Sequence, residues 1–315
     1  MSSDVTRRIA DAVLYEGYLL WPYRKSALKN QQRFTFGGVY PPAWEDRSSI
    51  QAQVLLEGNE DAEVEVRVRF LHVVQRQVLK GGPSPVSLQP VEELEVGGER
   101  WVSWEEAVER EFEPGPIRVS AGEQLEQISG GAIRRSWRTL EGEVAVSREI
   151  LGPSLSRFTV RVANTISWMG QIRAEALRQT FCSTHAILRA RGGTWVSLTD
   201  PPVELRAEAG GCENSGVWPV LVGEQGDRAT MLASPIILSD HPAIAPESPG
   251  DLFDSGEIDQ MLVLNILAMT EEERREMRDS DPRAREILER TEALTDEEIM
   301  RLNGAVREFG LVRGR

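Results

Sequence analysis

The stretch Val64-Glu-Val-Arg-Val-Arg-Phe70 decides the fold class, because apolar and charged side chains alternate strictly along it. A period of two is typical of a β-strand that has one face in the core and the other in water. The same period recurs between residues 51 and 240, in short runs that pairs of glycines or prolines separate. Many short strands with such turns predict a mainly antiparallel β-sandwich or β-barrel.

Helical signals occur at the two ends of the chain. Val5, Ile9 and Val13 recur with a helical period near the N-terminus. Near the C-terminus a capping box begins at Thr270, and Asp281 precedes a proline that suits the first helical position. We therefore predict an α+β protein with three segments: an N-terminal helix and aromatic-basic loop over 1–50, a mainly β domain over 51–240, and a Pro-rich linker with an acidic helical tail over 241–315.

Composition restricts the classes of function. The chain has 315 residues and a net charge of −14. Such a charge disfavours binding to nucleic acid or to an anionic membrane surface, since both require a positive field. No apolar run reaches the ~18 residues of a membrane span, no secretory signal is visible, and two cysteines are too few for a disulfide framework. We predict a soluble cytoplasmic protein with no nucleic-acid partner and no membrane span.

All four tyrosines lie between residues 15 and 40, where other aromatic and several basic side chains are interleaved with them. Residues 1–50 hold seven Lys or Arg against five Asp or Glu, whereas residues 251–315 hold ten against seventeen. Large rings beside cations are the usual anchors of protein interfaces. We predict partner binding by this aromatic-basic block, through Tyr18, Trp21, Tyr23, Arg24, Lys25, Lys29, Arg33, Phe34, Phe36 and Tyr40.

The same composition allows two other interpretations of the block. Its rings can form a satellite core while the cations extend outward to water. They can also stack on the bases of single-stranded nucleic acid, although the net charge of −14 disfavours this. The sequence alone leaves open whether the block is surface or core.

A second candidate site is the motif Cys182-Ser-Thr-His185, with Cys212 further along the chain. A thiolate and an imidazole at this spacing can bind one metal ion, and Cys212 would add a third ligand. Alternatively, Cys182 is a small buried side chain near a hydrogen-bonded histidine, or a nucleophile with His185 as its base. No glycine-rich phosphate loop and no other motif for a specific reaction is present, so the chain is predicted to be a non-enzyme rather than an enzyme.

Several longer segments carry a family resemblance: Tyr15-Glu-Gly-Tyr-Leu-Leu-Trp-Pro-Tyr-Arg24, Phe34-Thr-Phe-Gly-Gly-Val-Tyr-Pro41, Val217-Trp-Pro-Val-Leu-Val-Gly223, Ser234-Pro-Ile-Ile-Leu238 and Ala245-Pro-Glu-Ser-Pro-Gly-Asp-Leu-Phe-Asp254. In them the chain resembles an uncharacterised bacterial protein family that is encoded beside high-affinity, actinobacterial-type nickel–iron hydrogenases. The resemblance implies a role near such a hydrogenase. It implies no catalytic residues.

Three hypotheses of function follow. The first is a non-enzymatic accessory or assembly protein that has no cofactor and contacts hydrogenase structural subunits or maturation proteins. The alternative is a metal-handling maturation factor that holds nickel, iron or zinc transiently on Cys182, His185 and Cys212. The second alternative is a small-molecule hydrolase built on a β-sandwich.

Overall fold

The structure is a computed structural model, and it describes residues 2–16, 18, 23, 33–34, 36–82, 88–243, 259–295 and 297–299. The chain divides into two compact units. The first, the β unit, comprises Met1–Tyr18 and Gln32–Ala243; the second, the helical unit, comprises Leu19–Gln31 and Ile244–Arg315.

Antiparallel strands dominate the β unit. Their bounds are β1 Ser49–Lys80, β2 Gln89–Val91, β3 Glu93–Val96, β4 Glu99–Val102, β5 Trp104–Phe112, β6 Gly115–Val119, β7 Gly122–Ile128, β8 Gly131–Trp137, β9 Leu140–Gly152, β10 Leu155–Asn164, β11 Cys182–Trp195, β12 Trp218–Leu221 and β13 Thr230–Ser234. The helices of this unit are α1 Ser2–Tyr15, α2 Arg173–Leu177 and α3 Arg206–Gly210. The predicted fold class, a mainly antiparallel, sandwich-like α+β fold, is confirmed.

Strand β1 organises the sheet, because its 32 residues pair with different strands along its length. Residues 49–57 pair with β10 and residues 56–71 pair with β11. Further along, residues 68–76 pair with β5 and residues 75–80 pair with β8. Strand β10 pairs in turn with β9, β9 pairs with β6, and β6 follows β5 in the chain. The pairing ends at β6, and side chains of β1, β6, β9, β10 and β11 share one apolar cluster.

The alternating residues of β1 lie on opposite faces of the strand, with the apolar side chains in the core as predicted. Val66, Val68 and Phe70 are buried in the main apolar cluster. The ring of Phe70 stacks on that of Phe181, the residue before β11, with 4.6 Å between centroids. The intervening charged side chains lie on the opposite, outer surface of the strand.

Helix α1 covers part of that outer surface. Ile9 and Val13 are buried against Ile187 of β11, Val220 of β12 and Leu232 of β13. A spacing of four residues places Ile9 and Val13 on one side of the helix, as their helical period predicts. The helix is therefore held by its apolar side, and the residues on its flanks face the charged surface of β1.

The helical unit contains α4 Asp259–Leu267, α5 Glu271–Ser280 and α6 Pro282–Glu292. The predicted capping box at Thr270 and the Asp281 N-cap are both confirmed. Tyr23, which belongs to this unit, is fully buried, and its carbonyl oxygen lies 3.3 Å from the Ser280 hydroxyl. Of the helices that the structure describes, none combines the length and the apolar character needed to cross a membrane.

Candidate functional site

A cleft of about 430 Å³ opens in the β unit where three segments of the chain meet. These segments are 36–40, 216–218 and 234–237, and Asp46 and Arg47 complete the wall. We call this the docking cleft. Its lining combines apolar and aromatic side chains with the polar side chains of Asp46, Arg47 and Ser234 and the backbone of three glycines.

Glycine 37 lets the first segment approach the third. Its φ is +54°, and a Cβ at Gly37 would lie 2.7 Å from Cβ of Pro235. The carbonyl of Gly37 accepts a hydrogen bond from the backbone N–H of Thr184 at 2.9 Å, and that of Phe36 accepts one from Ser183 at 3.1 Å. A side chain at residue 37 would force these segments apart.

The residues that hold the first segment belong to the Cys182–His185 motif. Between β1 and β11, Arg69 is opposite His185 whereas Leu71 is opposite Cys182, so β11 contains an additional residue. This is a β-bulge, and Ser183 within it has a φ of +52°. The motif therefore orients two backbone N–H groups toward the segment that precedes β1.

Three large apolar side chains at the docking cleft remain exposed. Phe36 and Trp218 are each 39% exposed, and Ile237 is 94% exposed. Beside the cleft, Trp44 stacks on Tyr40 with 6.4 Å between ring centroids. Exposed aromatic and branched apolar groups around a cavity are typical of a protein-binding surface.

The sheet edge next to the docking cleft is blocked. Strand β12 is the last strand at its end of the sheet. Pro219 in β12 has no N–H group, and the N–H of Leu221 donates to Oδ1 of Asp240 at 2.8 Å. The carbonyl of Leu221 accepts from the N–H of His241 at 2.7 Å. A further β-strand could not form a full set of backbone hydrogen bonds with β12. A partner at this edge must therefore make contact through side chains.

The structure buries most of the described residues of the aromatic-basic block. Tyr18, Tyr23, Arg33, Phe34 and Tyr40 are all buried, whereas Phe36 is exposed at the docking cleft. The rings of Tyr18 and Phe34 lie 5.7 Å apart between centroids, as packing in a satellite core predicts, whereas Tyr23 belongs to the helical unit. A partner-binding role stays a prediction for Phe36. Four predicted members lie outside the described residues: Trp21, Arg24, Lys25 and Lys29.

Arg33 shows how the block packs. Its Cζ atom lies 3.9 Å from the ring centroid of Trp104, and 4.9 Å and 5.3 Å from those of Phe34 and Tyr18. Its guanidinium also donates hydrogen bonds to the carbonyl oxygens of Tyr18 and Glu105. The guanidinium is thus enclosed by rings. This differs from the satellite core of the sequence analysis, in which the cations extend outward to water.

The three predicted metal ligands do not form one site. Cys182 and His185 are fully buried on β11, and Nδ1 of His185 lies 3.1 Å from the carbonyl oxygen of Ser183. Cys212 packs in a different cluster, against Leu55. Within the described ranges, no group of three or more His, Cys, Asp or Glu side chains is placed to hold a metal ion. Cys182 and His185 instead stand on either side of the β-bulge.

Burial also opposes thiol chemistry at Cys182. Burial raises the pKa of the Cys182 thiol to about 12, with Arg173 opposing the shift and Glu105 adding to it. Burial likewise lowers the pKa of His185 to about 4. At neutral pH the sulfur is a thiol and the imidazole is neutral, so neither forms the thiolate–imidazolium pair of a thiol nucleophile.

Most of the docking cleft was not predictable from the sequence. Trp218 and the 234–237 segment stand out only in the family resemblance, and no pattern marks Arg47. Comparison with other proteins adds no assignment. No protein-family model matches the chain, and no curated protein matches its sequence.

Proposed function

We propose that the protein is a non-enzymatic accessory protein that acts through protein contacts, with structural subunits or maturation proteins of a nickel–iron hydrogenase as its partners. The proposal of protein contacts rests on the exposure of Phe36, Trp218 and Ile237 around one cleft. The hydrogenase part rests on the family resemblance. Three of the segments that carry the resemblance, 34–41, 217–223 and 234–238, supply residues to this cleft.

The energetics favour binding by side-chain insertion. Burying one large apolar side chain contributes roughly 1.5–3 kcal/mol, and a few such anchors supply most of the free energy of a typical interface. Because Ile237 is almost fully exposed and Trp218 is partly exposed, both have apolar surface that a partner can cover. The backbone of Gly37 and Gly38 adds room between these anchors.

The occupant that fits the docking cleft is an apolar segment of the partner with a polar group at one end. The apolar part would lie against Trp218 and Ile237. The polar group would meet Arg47 and Asp46, which stand in the wall and are exposed. A few fixed polar groups in an apolar pocket set the orientation of a ligand rather than most of its affinity.

The experiment compares three tagged proteins expressed in a bacterium that produces the hydrogenase. They are the wild type, the double variant Trp218→Ala with Ile237→Asp, and the control Val203→Asp, which places the same charge at an exposed apolar residue outside the cleft. Proteins retained on each are quantified by mass spectrometry. Thermal unfolding of each purified protein checks that the fold is kept.

We expect hydrogenase structural or maturation proteins to be enriched with the wild type and with Val203→Asp, and to be lost with the cleft variant. Enrichment that survives in a folded cleft variant would exclude the docking cleft as the contact surface. Retention of no hydrogenase-related protein by the wild type would exclude the proposed partners.

A further inference from the structure

A second cleft, of about 270 Å³, lies on the outer surface of β1 and has no residue in common with the docking cleft. Its lining includes four arginines, Arg7, Arg67, Arg69 and Arg189, and two glutamates, Glu65 and Glu111. We call this the arginine cleft. Its lining residues have a net charge of +2, and three further carboxylates, on Asp11, Glu109 and Glu113, pair with its arginines from outside the lining.

The fold brings these side chains together through the alternation of β1. Glu65, Arg67 and Arg69 are outward residues of the strand, opposite in direction to the buried valines. Across the strand pair, Arg189 of β11 is opposite Glu65. Arg7 reaches the same place from α1, whose apolar side packs on β11. The cleft is therefore a product of the strand register and the docking of α1.

Two of the four arginines already have carboxylate partners. Nε of Arg67 lies 3.0 Å from Oε1 of Glu65, and its Nη1 lies 2.7 Å from Glu113. Nη2 of Arg69 lies 2.6 Å from Asp11 and 3.1 Å from Glu109. Four carboxylates thus compensate the charges of these two arginines.

The other two arginines form no ion pair with a residue that the structure describes. Neither Arg7 nor Arg189 has a carboxylate of any described residue within ion-pair distance. Both line the same small cavity, so two guanidinium groups can reach one ligand. The pKa of Glu65 is lowered chiefly by the hydrogen bond from Arg67, and the charge of Arg189 acts in the same direction.

A buried donor at the arginine cleft also lacks an acceptor. The Arg69 side chain is 3% exposed, and its Nη1 atom makes no hydrogen bond with any residue that the structure describes. Buried donors are nearly always paired, because an unsatisfied one retains the cost of its desolvation. An oxyanion in the cleft would supply the missing acceptor.

We propose that the arginine cleft binds the phosphate group of a small molecule. A phosphate carries about −1.5 to −2 charges at pH 7, and it can pair with Arg7 and Arg189, whose guanidinium groups form no ion pair with a described residue. Guanidinium groups bind phosphate oxygens with paired, charge-assisted hydrogen bonds. The cavity is smaller than the ~300–1,000 Å³ typical for drug-sized ligands, so the ligand is inorganic phosphate or a small phosphorylated compound.

The test is calorimetric titration of the full-length protein at constant ionic strength with two probes, inorganic phosphate and ribose 5-phosphate. The variants are Arg7→Gln and Arg189→Gln, which leave the paired Arg69 in place. The matched control is Arg118→Gln, an exposed arginine of β6 that does not line the cleft. Urea unfolding confirms that each variant is folded.

We expect saturable binding of at least one probe, weakened about tenfold or more by each cleft variant and unchanged by the control. Binding of inorganic phosphate alone would identify the free ion as the ligand. Tighter binding of ribose 5-phosphate would identify a phosphorylated small molecule. Saturation by neither probe, or equal affinity in the cleft variants, would overturn the proposal. This outcome is independent of the docking experiment, because the two clefts share no residue.

Discussion

The guanidinium of Arg33 packs on the ring of Trp104 as a core side chain would. Its Cζ atom is 3.9 Å from the ring centroid, and the side chain is buried. Trp104 begins β5, 71 residues further along the chain. The contact therefore joins the segment before β1 to β5, a strand that pairs with β1. A cation over an indole ring contributes about 2 kcal/mol or more when it is removed from water.

We expect Arg33→Lys to lower the free energy of unfolding by about 2 kcal/mol. Lysine keeps the charge but cannot stack a planar group on Trp104 while donating to the carbonyls of Tyr18 and Glu105. The measurement is the urea midpoint at neutral pH. Arg118→Lys, the same exchange at an exposed arginine, should leave the midpoint nearly unchanged. Equal midpoints for the two variants would show that the stacking does not stabilise the fold.

The approach of residue 37 to Pro235 leads to a second prediction. Gly37→Ala adds a left-handed backbone penalty of about 1–2 kcal/mol, and the new Cβ collides with Pro235 and crowds the backbone of Thr184. Gly97 also has a positive φ, of +66°, but a Cβ there meets no atom within 4 Å. Gly97→Ala should therefore lower the free energy of unfolding by the left-handed backbone penalty alone.

Thermal and urea unfolding of both variants separate the two contributions. Gly37→Ala should be less stable than Gly97→Ala by roughly 1–3 kcal/mol, the cost of overpacking. If the docking cleft is the contact surface, Gly37→Ala should also weaken partner retention. The same loss of stability in both variants would mean that the 36–38 segment moves aside easily.

Local chemistry was sufficient to predict some of these elements. The alternation of 64–70 identified a strand and its buried side, and the caps at Thr270 and Asp281 identified two helix starts. Each depends on neighbours within a few residues, so the sequence contains the whole signal. The continuity of β1 was not predictable in this way. The polar stretch from Gly58 to Ala62 suggests a turn, but the strand continues through a register shift there.

The sites depended on contacts that no local pattern encodes. Rings interleaved with cations have the same composition in a core and in an interface, and the burial of Arg33 depends on Trp104 from a distant strand. Cys182 and Cys212 are 30 residues apart, and the structure places them in separate surroundings. The charged side of β1 was predicted to face water, but its assembly with Arg7 and Arg189 required the docking of α1.

Two fully buried histidines lead to a prediction for acid stability. Burial lowers the pKa of both His72 and His185 to about 4, and nearby Arg110 and Arg69 act in the same direction. In the unfolded chain each has a pKa near 6.5. Between these values the unfolded state binds more protons than the folded state, so stability falls as the pH falls.

The expected loss is about 1.5 kcal/mol per histidine between pH 6.5 and pH 5, a window in which carboxylates titrate little. Urea unfolding across this window should show a shallower pH dependence for His185→Asn than for the wild type, whatever its stability at pH 7. The two curves should differ in slope because Asn binds no proton in either state. NMR signals of the His185 ring should show no protonation midpoint above about pH 5. A midpoint near pH 6.5 would mean that water reaches the ring, and that β11 opens at the bulge beside the docking cleft.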